Sequence, residues 1–350
     1  MSGALVVTLL TLLLGIQPVT TDLYLPALPA LPALPTLQLQ LGASVAAAQA
    51  TLSVLIICFG FSQLLCGPLS DRFGRRPVLL AGLALYTPAA IGAADASSIA
   101  GLIAWRGLQG VAMAPAVTCG RGIVRDLFEP AEGARVMSRA LTGNWRSVVG
   151  DATFRAGAAV SAFSFGGVFC MLAGSSFVFI RVLGVGRAEF GAILASISVA
   201  YIAGTFLCRR LLRRHGLRGA VARGACFSLA GGAGLVAFSV AGVHTVWTIL
   251  LPQYLYAIGH GIHQPCGQAG AVGPFPEEAG TAASLSGFAM TVTALAAGLW
   301  LDLTLDGTVF PMTFAIGAFS VAVALVAWTL VQRHGEPART APLVALPRLA

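Results

Sequence analysis

Long apolar windows without charged residues follow one another along most of the chain. When charged residues are taken as boundaries, the windows lie near residues 4–21, 44–67, 77–94, 97–120, 156–180, 190–208, 224–243, 245–262, 279–301 and 307–332. Because a helix needs about 20 apolar residues to cross a bilayer, each window predicts one membrane-spanning helix. A barrel would show short segments of alternating polarity, whereas these windows are apolar on every face. The pattern predicts an all-α polytopic membrane protein with about ten transmembrane helices.

A charged segment interrupts this pattern between the fourth and fifth windows. The 35 residues from Arg121 to Arg155 contain ten charged side chains, so no membrane span fits there. The predicted organisation is therefore a four-helix N-terminal bundle, a cytoplasmic linker, a six-helix C-terminal bundle and a cytoplasmic tail, at residues 1–120, 121–155, 156–332 and 333–350.

The arginines predict the orientation of the helices. With both termini in the cytoplasm, 18 of the 21 basic residues lie inside, Arg181 and Arg187 lie outside, and Arg106 lies within the membrane. This distribution obeys the positive-inside rule, and it requires an even number of spans. The segment Met1 to Thr21 lacks a basic start and a small-residue cleavage site, so we interpret it as the first span rather than as a signal peptide.

The composition narrows the possible functions. Only 10 % of the residues are charged and 57 % are hydrophobic, which excludes a soluble core of this length. The net charge of +8 is explained by membrane topology and gives no reason to expect nucleic acid binding. The seven cysteines lack CxxC spacing and indicate neither disulfides nor a metal site. The absence of Walker A, GxSxG and HExxH motifs argues against ATP-driven transport and hydrolysis, so we expect neither an enzyme nor a cofactor.

The strongest motif joins the second and third windows and runs from Gly67 to Pro77 with the sequence GPLSDRFGRRP. Gly74 permits a tight turn, and Pro77 suits the first turn of the next helix. Asp71 lies among three arginines and can exchange ion-pair partners between conformations. The alternative interpretation is a basic loop that serves only topology.

This motif resembles the cytoplasmic motif of the major facilitator superfamily. Three further segments resemble the bicyclomycin and chloramphenicol resistance (Bcr/CflA) family of drug:proton antiporters, namely TDLYLPALP at 21–29, RGLQG at 106–110 and IVRDL at 123–127. The resemblance implies alternating access in a bacterial inner membrane, with proton entry driving a small-molecule drug outward. It also implies that Asp71 pairs with Arg121 or Arg125. The resulting candidate cytoplasmic gate comprises Gly67, Asp71, Arg72, Gly74, Arg75, Arg76, Arg121, Arg125 and Asp126.

Two charged residues are candidates for proton coupling. Arg106 lies in the middle of the fourth window, where a charge costs about 2.5–3.5 kcal/mol on insertion scales. Asp22 lies at the end of the first window. The resemblance links such positions to proton transfer and to proton or cation recognition. A structural ion pair for Arg106 and an interfacial helix end for Asp22 remain alternatives.

The eighth window contains polar side chains at helical spacing, and Gln253, Tyr256 and His260 are candidates for lining a polar cavity. His260 and His263 form a poor metal site because no acid or cysteine joins them at ligand spacing. Packing within the protein or placement at the membrane interface is the alternative for these histidines.

The chain departs from its family in helix number. Relatives have twelve helices, whereas here the approach to helix five, near Arg139, continues directly into the approach to helix seven, near Asn144. We predict a major facilitator fold that lacks helices five and six as a pair, which preserves the orientation of everything downstream. A transport-inactive deletion variant, a membrane partner subunit and a small-solute importer remain alternatives to drug efflux. The sequence does not indicate the oligomeric state.

Overall fold

Helices form nearly all of the part that the computed structural model describes, which comprises residues 45–128, 145–275, 278–304 and 306–335. No β-strand is present among these residues. The helices are α1 (Val45–Phe73), α2 (Arg75–Ala94), α3 (Ile99–Phe128), α4 (Trp145–Gly150), α5 (Ala152–Ser176), α6 (Arg187–Val240), α7 (Val246–Val272), α8 (Ala279–Thr304), α9 (Phe310–Trp328) and α10 (Leu330–His334).

These helices confirm the predicted all-α membrane fold. Every predicted window except the first coincides with a helix, and the first, at 4–21, lies outside the described residues. Within the described part, six helical segments are long and apolar enough to cross a membrane. Helix α3 continues to Phe128, eight residues into the predicted linker, and α4 also lies inside that linker.

Helix α5 begins at Ala152, earlier than its apolar window. The side chain of Asp151 accepts a hydrogen bond from the backbone amide of Phe154 at 2.8 Å and so caps the first turn. The window is predicted to begin after the charged residue Arg155. The helix instead begins earlier, because the Asp151 cap supplies an acceptor for a first-turn amide that has none within the helix. At its other end α5 continues as a π-helical turn at Phe177–Val182.

Helix α6 is a hairpin of two spans. Its 54 residues would extend roughly 80 Å if straight, far more than a bilayer core. Gly216 breaks the helix with φ 66° and ψ −175°, values that glycine tolerates and other residues avoid. Gly204 before this break and Gly224 after it both pack against α7, at Gly261 and Gly259 respectively. The first arm (187–215) and second arm (217–240) therefore lie beside α7 and match windows six and seven.

The described helices form two halves joined mainly through α8. Helices α1 to α3 pack together around Leu55, Phe59 and Met113, and helices α5 to α9 build larger apolar cores in the second half. Helix α8 packs against α5 in its own half and against α1, and to a smaller extent α3, in the other. The junction between the halves is therefore where a conformational change between them must act.

Candidate functional site

The motif between the second and third windows folds as a tight turn between two helices. Helix α1 ends at Phe73, Gly74 adopts φ 89°, and α2 begins at Arg75, with Pro77 in its first turn. Both expected roles, the glycine turn and the early proline, are confirmed. A positive φ favours glycine because a Cβ would clash with the backbone.

This turn returns Arg75 to the end of α1. Its Nη1 donates to the Asp71 Oδ1 at 3.3 Å and to the Ser70 Oγ at 3.0 Å. Ser70 Oγ in turn donates to the Gly67 carbonyl at 2.9 Å. The turn thus builds a polar group on one side of α1, with the carboxylate of Asp71 at its edge.

Asp71 connects this polar group to the second half of the molecule. Its Oδ2 accepts hydrogen bonds from the backbone amide of Thr281 at 3.0 Å and from the Thr281 Oγ1 at 3.4 Å. Helix α8 begins at Ala279, so the Thr281 amide belongs to the first turn and has no acceptor within its own helix. A carboxylate at this position also interacts favourably with the positive end of the helix dipole.

Small residues let α1 and α8 approach closely beside Asp71. A Cβ on Gly67 would overlap Ser284 and the carbonyl of Gly280, and a Cβ on Gly280 would overlap the Asp71 carboxylate. Further along the same contact, Gly287 packs against Gln63. Close backbone approach of this kind is how helices associate in membranes, where the hydrophobic effect contributes little. The halves are therefore in tight contact at this end of the molecule.

The remaining gate residues divide into two groups. Arg72 and Arg76 are exposed, and the guanidinium of Arg72 lies 5.1 Å from the ring centroid of Phe73. The side chains of Arg121, Arg125 and Asp126 lie outside the described residues, although α3 carries their backbone. Pairing of Asp71 with Arg121 or Arg125 thus stays a prediction. One residue of α3, Cys119, contacts Ser70 and brings this helix to the gate.

Arg106 is partly buried in α3. Its Nη1 donates to the Gln109 Oε1 at 3.3 Å, one helical turn along. Asp22 lies outside the described residues, so the structure does not place the second proton-coupling candidate.

The three cavity candidates lie in α7. Tyr256 donates from its hydroxyl to the Ser164 carbonyl at 3.2 Å, and His260 Nδ1 lies 2.8 Å from the Ser164 Oγ. The imidazole of His260 also lies against the ring of Tyr201, 5.4 Å between centroids. All three side chains, including Gln253, are buried. In this conformation they belong to the packing of α7 against α5 and α6, and no group of three or more metal-ligating side chains occurs in the described residues.

Sequence reasoning did not identify Thr281 as the partner of Asp71. The available signal is the spacing of small residues on two apolar windows: Gly60 and Gly67 on α1, and Gly280, Ser284 and Gly287 on α8. Residues three, four or seven apart share a helix face, so these two rows predict faces that accept a close neighbour. Which two rows meet cannot be deduced from spacing alone.

Comparison with known proteins agrees with this fold. The model of the Major Facilitator Superfamily matches residues 19–183. Multidrug resistance protein D of Escherichia coli (strain K12) is 26 % identical over 404 positions, which cover 94 % of this chain and 97 % of that protein. The chloramphenicol resistance protein of Pseudomonas aeruginosa is 36 % identical over 116 residues, covering 33 % of this chain and 26 % of that protein.

A solved structure extends the likeness of fold to 95 % of the chain. The proton:xylose symporter XylE superposes with a TM-score of 0.71 over 95 % of each chain at 14 % sequence identity. The alignment with the Escherichia coli relative spans 404 positions and so exceeds the 350 residues of this chain. That relative therefore contains residues without a counterpart here, in agreement with the predicted loss of helices.

Proposed function

Since residues 19–183 match the model of the Major Facilitator Superfamily, we propose that this chain is a transporter of that superfamily and that it exports small hydrophobic drugs across the bacterial inner membrane in exchange for protons. Similar proteins named for multidrug resistance and for chloramphenicol resistance support this choice. The Bicyclomycin resistance protein homolog of Haemophilus influenzae, 23 % identical with 91 % of this chain and 94 % of that protein covered, adds a third drug class.

The contact of Asp71 with the first turn of α8 is the observation that carries the proposal. It links the halves through hydrogen bonds and through the attraction between a carboxylate and a helix N-terminus, which together are worth only a few kcal/mol. An interaction of this size can be broken and remade without unfolding either half. Alternating access requires a joint of this kind, closed in one state and open in the other.

The small residues around Asp71 serve the same cycle. Gly67 and Gly280 allow the two helices to touch along their backbones, so the closed state excludes water and solutes from this end. When Asp71 leaves Thr281, Arg75 remains as a partner for the carboxylate. The open state thus does not leave Asp71 without a partner, which keeps the two states close in free energy.

Proton coupling is assigned to Arg106 together with Asp22. Arg106 is a permanent positive charge at the level of the membrane and donates a hydrogen bond to Gln109, so an acid brought near it would lose its proton more readily. An acid that alternates between protonated and ionised forms near this charge would bind drug and proton in turn. The role of Asp22 rests on the family resemblance.

Two other functions are compatible with the fold. A deletion variant that no longer transports, or a partner subunit that retains the fold, would keep α1, α8 and the gate without turnover. A small-solute importer would use the same joint in the opposite direction.

Transport measured in everted membrane vesicles tests the proposal. Cells of a drug-hypersensitive host should gain resistance to chloramphenicol or a related hydrophobic antibiotic, and their vesicles should accumulate the drug when a proton gradient is imposed. Collapse of the gradient by an uncoupler should abolish accumulation. Vesicles that contain the protein but show no gradient-dependent drug movement across an antibiotic panel would favour the inactive variant. Proton-driven uptake of a small solute into cells would favour the importer.

A further inference from the structure

Two thiols meet between α6 and α7 inside the second half of the molecule. The Sγ atoms of Cys208, in the first arm of α6, and Cys266, in α7, are 3.5 Å apart. Both side chains are buried, and both thiols are free. The Cys208 thiol also lies 3.7 Å from the carbonyl of Ile262. The gate and the proton-coupling candidates make no use of this pair.

Close helix packing holds the two sulfurs in place. One turn before Cys208, Gly204 packs against α7, where a Cβ on Gly261 would overlap the first arm. The backbones are therefore in contact beside the thiols, which fixes the distance between the two Cα atoms and keeps the sulfurs within reach of one another. A fixed pair of this kind binds a ligand without the loss of freedom that two independent side chains would suffer.

A small apolar pocket at one end of the molecule reaches Cys266, one member of this pair. Its volume is only about 10 Å³, enough for one water-sized group, and its lining includes Cys266, Leu217, Val221 and Val331. Leu217 follows the break at Gly216, and the arginines around that break predict that this end faces the cytoplasm. Apolar lining favours a small uncharged ligand that can also dissolve in the membrane.

We propose that Cys208 and Cys266 form a dithiol site for small trivalent organoarsenicals. Thiols bind soft centres, and two adjacent thiols bind trivalent arsenic as a chelate. With methylarsonous acid, two S–H bonds and two As–O bonds break, two As–S bonds form, and two water molecules leave. No electrons are gained or lost, so the step needs neither an oxidant nor a reductant.

The sulfur separation decides between arsenic and a metal ion. Trivalent arsenic is pyramidal and joins sulfurs that are almost in contact, as these are at 3.5 Å. A soft ion with linear coordination would lie between the sulfurs and force them apart, which would also separate α6 from α7 at Gly204 and Gly261. Among the described residues no third cysteine, histidine or acid joins the pair to complete a higher-coordinate metal site.

The test uses the purified full-length chain in detergent with methylarsonous acid as the probe. Cys58, Cys66, Cys119, Cys170 and Cys226 are replaced by Ala, so that Cys208 and Cys266 are the only thiols. We expect one arsenical per chain in intact-mass spectra, loss of both free thiols, and two sulfur neighbours in arsenic X-ray absorption. The adduct should survive excess glutathione, a monothiol, and should be removed by 2,3-dimercaptopropanol, a dithiol.

Matched single-thiol chains, Cys208→Ser and Cys266→Ser in the same background, provide the control. A lone thiol holds arsenic by one bond, so excess glutathione should remove the adduct from either chain. A glutathione-resistant adduct on a single-thiol chain, or no adduct on the two-thiol chain, would overturn the proposal. The unmodified protein provides a test that does not depend on the folding of the variants. There the arsenical should protect both Cys208 and Cys266 from alkylation. Alkylation of either thiol at the rate seen without arsenical would contradict the site.

Discussion

The Asp71 carboxylate accepts a hydrogen bond from the Thr281 backbone amide at 3.0 Å and thereby joins the two halves of the molecule. These residues are 210 positions apart in the chain and belong to α1 and α8. The same carboxylate is 3.3 Å from Arg75 Nη1, so it has one partner in each half. Arg75 stays beside Asp71 in both arrangements of the halves, whereas Thr281 moves with the second half. The charge of Asp71 can therefore shift the equilibrium between the two arrangements.

We predict that Asp71→Asn opens the cytoplasmic side. The substitution retains an amide oxygen that can accept one hydrogen bond but removes the charge that interacts with the α8 N-terminus and with Arg75. The loss of about 1–2 kcal/mol from the closed state would raise the open population about 5–30-fold. A single cysteine at Ser284→Cys, buried against Gly67, in an otherwise cysteine-free chain reports this change by its rate of maleimide labelling.

Two variants control this measurement. Asp71→Glu retains the charge and should label more slowly than Asp71→Asn. Arg213→Gln removes an exposed charge near the tip of the α6 hairpin, outside the candidate gate, and labelling should remain at the parent rate. Equal labelling rates for Asp71→Asn and the parent would show that Asp71 does not stabilise the closed state and serves only membrane topology.

Replacing Gly67 tests the close contact of the helices independently of charge. In Gly67→Ala the new methyl group would overlap Ser284 and the Gly280 carbonyl, so α1 and α8 must separate. We expect a more open cytoplasmic side and a drug efflux rate lowered by about tenfold, in keeping with a cost of about 1–3 kcal/mol for overpacking. Gly191→Ala is the matched control, since no atom lies within 4 Å of its Cβ position and alanine favours a helix. Wild-type efflux by Gly67→Ala would show that the contact is not required for turnover.

Arg106→Ala should abolish proton-driven efflux without preventing membrane insertion. The substitution removes a charge that is costly within the membrane, so insertion should be as efficient as in the parent or better. Efflux into everted vesicles, normalised to the amount of protein in the membrane, measures the effect. Gln109→Ala removes the hydrogen-bond partner and keeps the charge, and it should retain measurable efflux. Unchanged efflux by Arg106→Ala would make this arginine a structural residue.

The α6 hairpin predicts a specific topology. Reporters fused after Arg139 and after Arg214 should both report the cytoplasm, because four spans precede the first site and six precede the second. Arg214 lies two residues before the break at Gly216, at the tip of the hairpin. Alkaline phosphatase should be inactive and green fluorescent protein bright at both positions. A periplasmic result at either site would refute the ten-span topology.

The helices of the described residues could be predicted from the sequence because charged residues separate most of the apolar windows from one another. Gly216 illustrates the limit of that method. The five arginines around it separate two windows, yet in the structure the helix continues up to the glycine on both sides, because charged residues outside the membrane form helix as readily as apolar ones. Helix α3 continues to Phe128 for the same reason.

Contacts between distant residues were less accessible to prediction than the helices. Asp71 was identified from its motif, but its partner is a backbone amide, and a backbone amide carries no sequence signal. Similarly, spacing predicted that Gln253, Tyr256 and His260 line a polar cavity, and that stays a prediction. The contacts of Tyr256 and His260 with Ser164, and of His260 with Tyr201, depend on how three helices pack. The side chains of Arg121 and Arg125 remain untested as partners of Asp71.

The predicted absence of helices five and six has a consequence for stability. In the described part, the first half contacts the second chiefly through α8, and the first arm of α6 leaves Val199, Ile202 and Phe206 exposed. Lipid covers apolar faces such as this one without penalty, whereas polar and small faces lose packing partners. On α3, Gly107 and Gly110 keep α1 as a packing partner, whereas Trp105 and Val111 are exposed.

We therefore expect a protein that inserts normally but unfolds in detergent several degrees below the Escherichia coli multidrug resistance protein D, and that transports poorly as a monomer. Thermal unfolding of both proteins in the same detergent gives the first comparison, and drug-stimulated proton flux in liposomes gives the second. If a second copy supplies the missing surface, two copies must meet in the membrane. Doubling the number of protein molecules per liposome should then more than double the flux. Control liposomes with the relative should show flux proportional to density. Equal melting temperatures and equal flux per monomer would show that the second half and the remaining helices suffice, and that the loss of the pair is tolerated because lipid replaces it at the exposed faces.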